Sequence, residues 1–192
     1  MKPTLPKKPS RSQLKKRLCK LLVARNDFKA TIRTCDIILK TVKTVDDTIY
    51  YPLFTAAIIC YARPFTDNKP FGKLPKIYEK FDNKKHQEGH GKIIKARNEI
   101  VAHSDMRIKN FQIIPPNTVV EKDKNGKPRK NEEIITRVNY HFFPLAAIKE
   151  IREMTFIQIL KTGNEINELL DKLYLNRKLP KKVFDITIDN GL

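Results

Sequence analysis

Apolar residues recur at steps of three and four between Leu14 and Val42, and this spacing constrains the fold more than any other feature. Such steps place side chains on one face of an α-helix. The sequence therefore predicts a long amphipathic helix, which Ser10 or Ser12 can cap. Arg25 is the single polar member of the series, and we expect its charged end to reach solvent beyond its apolar stem.

Helical spacing returns in three further long segments. Asp46 or Asp47 can cap a second helix, which Pro64 ends because proline lacks the N–H of the next turn. A short helix is expected over Leu74–Phe81. The third and fourth long helices are predicted over residues 83–104 and from Pro144 to Leu173. The third contains Gly89 and Gly91 and can start as late as Lys92, and Gly163 is a possible bend in the fourth.

Two β-prone runs lie between the last two long helices. They cover residues 111–121 and 134–143, and Asn125-Gly126 between them is a strong hairpin signal. Pro115 and Pro116 confine the first strand to an edge position.

The predicted fold class is therefore mainly α: an up-and-down helical bundle of four main helices with an inserted β-hairpin before the last long helix. A chain of 192 residues is most simply one domain. Its subdivisions are a flexible basic arm (1–12), the hairpin insertion (111–143) and a C-terminal tail (178–192).

The formal net charge of +18 predicts a polyanionic partner, and nucleic acid is the obvious one. The alternative is that the lysines lie on solvated helix faces. No apolar run is long enough for a bilayer, and no secretory signal is recognisable. Cys19, Cys35 and Cys60 are odd in number and lie on apolar-periodic helices, so we expect buried thiols in a reduced, cytoplasmic protein.

The stretch from Ala96 to Asp105 combines Arg97, the adjacent Asn98 and His103 within one helical segment. Arginine can grip a phosphate through two parallel hydrogen bonds, and histidine can exchange a proton near neutral pH. The alternative is structural: Arg97 pairs with Glu99 or Asp105, and His103 interacts favourably with the helix C-terminus.

This stretch closely resembles the Arg-polar-x(3–5)-His motif of the HEPN superfamily, small helical proteins many of which are endoribonucleases. The segments Tyr61–Thr66 and Ala102–Asp105 look like those of one bacterial branch. The layout is similar from Leu14 to Leu173. The resemblance implies the same helical bundle and a homodimer whose two motifs line a shared cleft.

These residue types can cleave RNA without a metal or other cofactor. His103 serves as general base or acid for the 2′-OH, Arg97 stabilises the charge that develops on the phosphate, and Asn98 orients the substrate or the histidine ring. Six residues turn an ideal helix by about 600°, so Arg97 and His103 stand about 120° apart unless the helix ends or distorts near Ala102. A cleft shared by two copies would overcome this.

Three more residues are candidates for contacts with RNA phosphates. Arg63 either contacts a phosphate or acts as a helix C-terminal cation. His90 lies seven residues before Arg97 and so shares its face, and Lys92 is close in the chain. His86 and His90 are one turn apart and allow a zinc site, although an ordinary exposed pair is the favoured interpretation.

The predicted function is a metal-independent endoribonuclease. The resemblance further implies a toxin or phage-defence effector that is controlled by an antitoxin or regulatory protein. The main alternative is a non-catalytic relative that binds RNA or a nucleotide. A third possibility is a dimeric scaffold that contacts an acidic protein.

Overall fold

The computed structural model describes residues 9–67, 69–101, 109–122, 124–140, 143–175, 177, 179 and 181–186. Within them the protein is mainly helical, which confirms the predicted fold class. The chain divides into two compact units, Met1–Arg97 with Pro144–Leu192, and Asn98–Phe143. None of the helices in the described ranges has the length and apolar character needed to cross a bilayer.

The first long helix, α1, runs from Arg11 to Thr41 and begins with a capping box. The Ser10 hydroxyl accepts the Gln13 N–H at 3.2 Å, and the Gln13 side chain accepts the Ser10 N–H at 2.8 Å. These bonds satisfy two donors that a helix start leaves unpaired. Of the two predicted caps, the structure uses Ser10.

Helix α2 (Tyr50–Ala62) lies antiparallel to α1, since Arg63 at its end contacts Asp27. The predicted Asp cap is wrong, because the residue that caps α2 is Ile49, which has no capping side-chain bond. Asp47 lies two residues before the cap position, and its side chain accepts the Ile49 N–H at 3.3 Å. At the other end Pro64 converts the chain to a 3₁₀ turn, Arg63–Phe65. The short helix expected before Phe81 is a second 3₁₀ turn, Lys76–Glu79.

Helix α4 (Leu145–Tyr174) packs antiparallel to α1 along its length. Arg17 pairs with Glu165 near one end, and Arg152 pairs with Asp36 at 2.6 Å near the other. Gly163 does not interrupt α4, which is helical on both sides of this residue. The up-and-down order of these helices is as predicted.

Arg25 departs from its predicted exposure. Its side chain is half-buried, and its Nε is buried with no hydrogen-bond partner among the described residues. The guanidinium lies against α4 where Gly163 has no side chain, since a Cβ there would stand 3.6 Å from Nη2. This is an ordinary van der Waals distance, so a methyl group at 163 would contact Arg25 without displacing it.

The core of this unit is formed by apolar residues of α1, α2 and α4, including Leu18, Phe28, Ile58 and Ile151. Cys35 is fully buried, as predicted, but Cys19 and Cys60 are only half-buried. All three thiols are free.

In the second unit, residues 109–122 and 124–140 form four short strands in place of the two predicted. Strand β1 (Lys109–Ile114) pairs with β4 (Ile135–Tyr140), and β2 (Val119–Lys122) pairs with β3 (Pro128–Lys130), both antiparallel. The predicted first strand breaks because Pro115 and Pro116 have no N–H and Asn117 has a φ of 64°. Asn131 closes the gap, since its side-chain amide donates to the carbonyls of Pro115 and Glu133 at 2.9 and 2.6 Å.

Candidate functional site

Arg97 and Asn98 lie on the third long helix, α3 (Lys84–Val101), as the sequence predicts. The Arg97 side chain is half-buried and that of Asn98 is exposed. The boundary between the two compact units falls between these residues. His103 lies outside the described residues, so its relation to Arg97 stays a prediction from the sequence spacing.

The start of α3 is fixed by side chains that fold back on the preceding turn. Asn83 Oδ1 accepts the Lys85 N–H at 2.8 Å, and Gln87 Oε1 accepts the Phe81 N–H at 2.9 Å. The Gln87 amide also donates to the Glu79 carbonyl at 3.1 Å. These bonds explain why α3 begins at Lys84, ahead of both glycines, and they exclude the later start near Lys92.

Side chains of α3 meet side chains at the beginning of α4. A Cβ at Gly89 would lie 2.5 Å from Glu150 Oε1 and 3.2 Å from the Met154 methyl carbon. Glu150 pairs with Lys85 at 3.2 Å, and Glu153 lies 3.6 Å from His86 Nε2. Gly89 therefore leaves room for the ends of the Glu150 and Met154 side chains beside α3.

His90 is surrounded by aromatic rings in the interior. Its Nδ1 is 3.0 Å from the Tyr61 hydroxyl, its ring lies 4.7 Å edge-on from Phe65, and Phe81 is 5.6 Å away. The residue is only 5% exposed, and this burial lowers the pKa of the ring. Burial also raises the pKa of Tyr61, which therefore keeps its proton. A neutral, enclosed imidazole suits a structural role better than the predicted phosphate contact.

Arg63 forms an ion pair with Asp27 of α1. Its Nη1 donates to Asp27 Oδ1 at 2.8 Å, and nearly half of the Arg63 side chain is exposed while the carboxylate is buried. Burial raises the pKa of Asp27, and the guanidinium offsets part of that rise. Asp27 thus fixes the position of Arg63, whose exposed part still allows the predicted phosphate contact.

One aromatic cluster joins the surroundings of Arg63 and His90. Phe28 of α1 lies 6.2 Å from Tyr61 and 5.8 Å from Phe65, and Phe65 in turn contacts His90. The structure therefore places these two predicted residues around the same part of the core. His90 faces inward there, whereas Lys92, about 160° further round α3, is exposed.

The two histidines of the possible zinc site bind different partners. His86 faces Glu153 and His90 faces Tyr61. In the described part of the chain, no three His, Cys, Asp or Glu residues are grouped as metal ligands would be.

The sequence did not identify Asp27 as the ion-pair partner of Arg63, nor Tyr61 as the partner of His90. A signal for Asp27 was present, since it is the only acidic residue in the first 35 of the chain and lies next to Phe28 of the apolar seam. An isolated carboxylate beside a core position needs a cation, and Arg63 provides it. Tyr61 and Tyr78 are both buried in the core.

No protein-family model matches the chain, and neither curated proteins nor solved structures include a match. The HEPN resemblance therefore rests on the motif residues and the order of the helices.

Proposed function

We propose that this protein is a HEPN-like endoribonuclease that cleaves RNA without a metal. The proposal is carried by one observation: Arg97 and Asn98, followed by His103 at the motif spacing, stand on a helix of a helical bundle. The net charge of +18 supports an RNA substrate, because a cationic protein attracts a polyanion.

The proposed reaction is an attack of the ribose 2′-OH on the adjacent phosphorus. His103 takes the 2′-OH proton, and the P–O bond to the 5′ oxygen of the next nucleotide breaks as that oxygen takes up a proton. Arg97 stabilises the charge on the phosphate, and Asn98 orients the phosphate, the ribose or the His103 ring. The products carry a 2′,3′-cyclic phosphate and a 5′-OH. DNA is inert because it lacks the nucleophile.

A homodimer in which two motifs share a cleft belongs to this proposal, as do a toxin or phage-defence role, an antitoxin or regulatory partner and a cytoplasmic location. The dimer would overcome the rotation of about 120° between Arg97 and His103. The three free thiols favour a reducing compartment.

The test is cleavage of end-labelled single-stranded RNA in EDTA by the wild type, Arg97→Ala and His103→Ala. We expect cleavage by the wild type alone, while RNA affinity changes only a few-fold. Arg33→Ala and His86→Ala are matched controls, because they remove the same residue types at positions outside the motif. Loss of cleavage in the controls as well, or persistence in His103→Ala, would show that the motif is not the active site.

The alternative is a non-catalytic module that binds RNA or a nucleotide through its basic surface. It is favoured by the concentration of cations on α1, where six basic residues and no acidic residue precede Asp27. This alternative predicts that RNA stays intact and binds tightly, that the affinity depends strongly on salt, and that His103→Ala does not change it.

A further inference from the structure

A groove beside the first half of α1 has the size and lining of a ligand site. It has a volume of about 430 Å³, within the range of small-molecule pockets. Lys16, Arg17 and Lys20 of α1 line it together with Leu74 and Pro75. All these residues belong to the first compact unit.

Two of the three cations are held in place by hydrogen bonds. The Lys20 ammonium donates to the Lys73 carbonyl at 3.1 Å. Arg17 Nε donates to one oxygen of Glu165, and the hydroxyl of Tyr78 donates to the other. Because both oxygens of Glu165 are engaged, this carboxylate fixes Arg17 and is a poor partner for the lysines.

The cations of the groove outnumber the carboxylates that face them. Burial lowers the pKa of Lys20, and the neighbouring charges of Lys16 and Arg17 lower it further, while Asp67 has a smaller opposite effect. Glu165 is bound to Arg17, and the influence of Glu168 is likewise on Arg17. An anion held between Lys16 and Lys20 would relieve this repulsion.

The groove also has an apolar side. Leu21 and Leu74 are each 1% exposed and form its inner wall, and Pro75 lies at the edge. A ligand that uses the whole volume therefore needs a weakly polar part as well as a negative charge. A nucleoside phosphate combines the two in one molecule.

We propose that this groove binds a nucleoside phosphate, with the phosphate between Lys16 and Lys20 and the base against Leu74 and Pro75. The nucleotide is either a unit of an RNA chain or a free mononucleotide. If the ligand is RNA, this proposal rests on the proposed ribonuclease function. If the ligand is a free nucleotide, the proposal goes beyond that function.

The test compares two double variants of the full chain in a His103→Ala background, which prevents cleavage. K16Q/K20Q removes two groove cations, and K29Q/K40Q removes two exposed lysines elsewhere on α1. Affinity is measured by fluorescence anisotropy with a short single-stranded oligoribonucleotide and by calorimetry with nucleoside 5′-monophosphates and with inorganic phosphate. Lys16→Gln alone tests the groove without disturbing the Lys20 bond to Lys73.

We expect K16Q/K20Q to lose about ten-fold or more in affinity and K29Q/K40Q less than about two-fold. With RNA, the slope of log affinity against log salt should fall by about two in K16Q/K20Q. Binding of the oligonucleotide alone identifies RNA as the source of the phosphate, and binding of monophosphates as well identifies a nucleotide site. Equal losses in both double variants, no loss in either, or inorganic phosphate binding as tightly as the nucleotides would overturn the proposal.

The outcomes for the groove and for the ribonuclease are separable. If the wild type cleaves RNA and K16Q/K20Q binds it like K29Q/K40Q, the groove proposal fails and the ribonuclease stands. If the wild type leaves RNA intact and only K16Q/K20Q loses affinity, the groove stands and the ribonuclease fails.

Discussion

The buried carboxylate of Asp27 shows how one residue determines the position of another. Its raised pKa means that the folded protein holds this proton more tightly than the unfolded chain does. The contribution of Asp27 to stability therefore falls as pH rises above about 4, and the Arg63 ion pair limits that loss.

Replacing Arg63 by Met should therefore destabilise the protein in a pH-dependent way. At pH 7 we expect the free energy of unfolding to fall by about 1–2 kcal/mol, because the buried carboxylate loses its partner. The loss should shrink as pH falls toward about 4, because the raised pKa of Asp27 means that the folded protein takes up this proton before the unfolded chain does. Urea unfolding at both pH values measures it. D27N/R63M should recover most of the loss at pH 7, and an equal loss at both pH values would contradict this account.

His90 should titrate below the ordinary histidine value of 6.5, because burial disfavours the imidazolium. Its contribution to stability is then complete above about pH 6.5 and is lost as pH falls through that value toward the lower folded-state pKa. NMR of the ring through a pH titration measures this directly. Tyr61→Phe is the control, since it removes the hydroxyl at Nδ1 but keeps the burial. A ring that titrates at or above pH 6.5 in the wild type would contradict the assignment.

The sequence alone located His90 and Arg97 on a helix but did not identify the side chains that contact them. Their spacing places His90 and Arg97 on one face of a helix, and both residues do lie on α3. Periodicity alone, however, does not distinguish a helix face that lines a cleft from one that is buried in a core. That distinction depends on Tyr61, Phe65 and Phe81, which the chain brings to His90 from other segments.

At the level of elements, local patterns predicted whole helices better than their ends. The seam of α1 was recognisable because nine positions repeat the same spacing. The sequence predicts one continuous strand across Pro115 and Pro116, but the structure has two strands separated by these prolines. Asn131 connects the chain across this break by a side-chain hydrogen bond to the Pro115 carbonyl. The start of α3 depends on Gln87 bonds to residues 79 and 81, which no helical pattern encodes.

The two glycines of α3 make a matched pair for testing how it packs. A Cβ at Gly91 would meet nothing within 4 Å, so Gly91→Ala should stabilise the protein by about 0.5–1 kcal/mol through helix propensity. Gly89→Ala should gain less stability than Gly91→Ala, because an added methyl group would displace the ends of the Glu150 and Met154 side chains. Urea unfolding measures the free energy of unfolding of both variants. Equal stabilities would show that the Glu150 and Met154 side chains move away at no measurable cost.

For the molecule as a whole, the proposed ribonuclease function is compatible with two independent features, the net charge and the motif. The net charge of +18 predicts a polyanion but not its kind, and the Arg97–His103 motif predicts chemistry that only RNA allows. Composition could not locate the cationic groove, because its lining comes from segments far apart in the chain.

The most direct test of the central claim uses a DNA oligonucleotide that contains a single ribonucleotide, incubated with the wild-type protein in EDTA. The proposed mechanism predicts one cut, on the 3′ side of the ribose, with a 2′,3′-cyclic phosphate on one product and a 5′-OH on the other. Arg97→Ala and His103→Ala should leave the oligonucleotide intact. Cuts at deoxyribose positions, or products that carry a 5′-phosphate, would contradict attack by the 2′-OH.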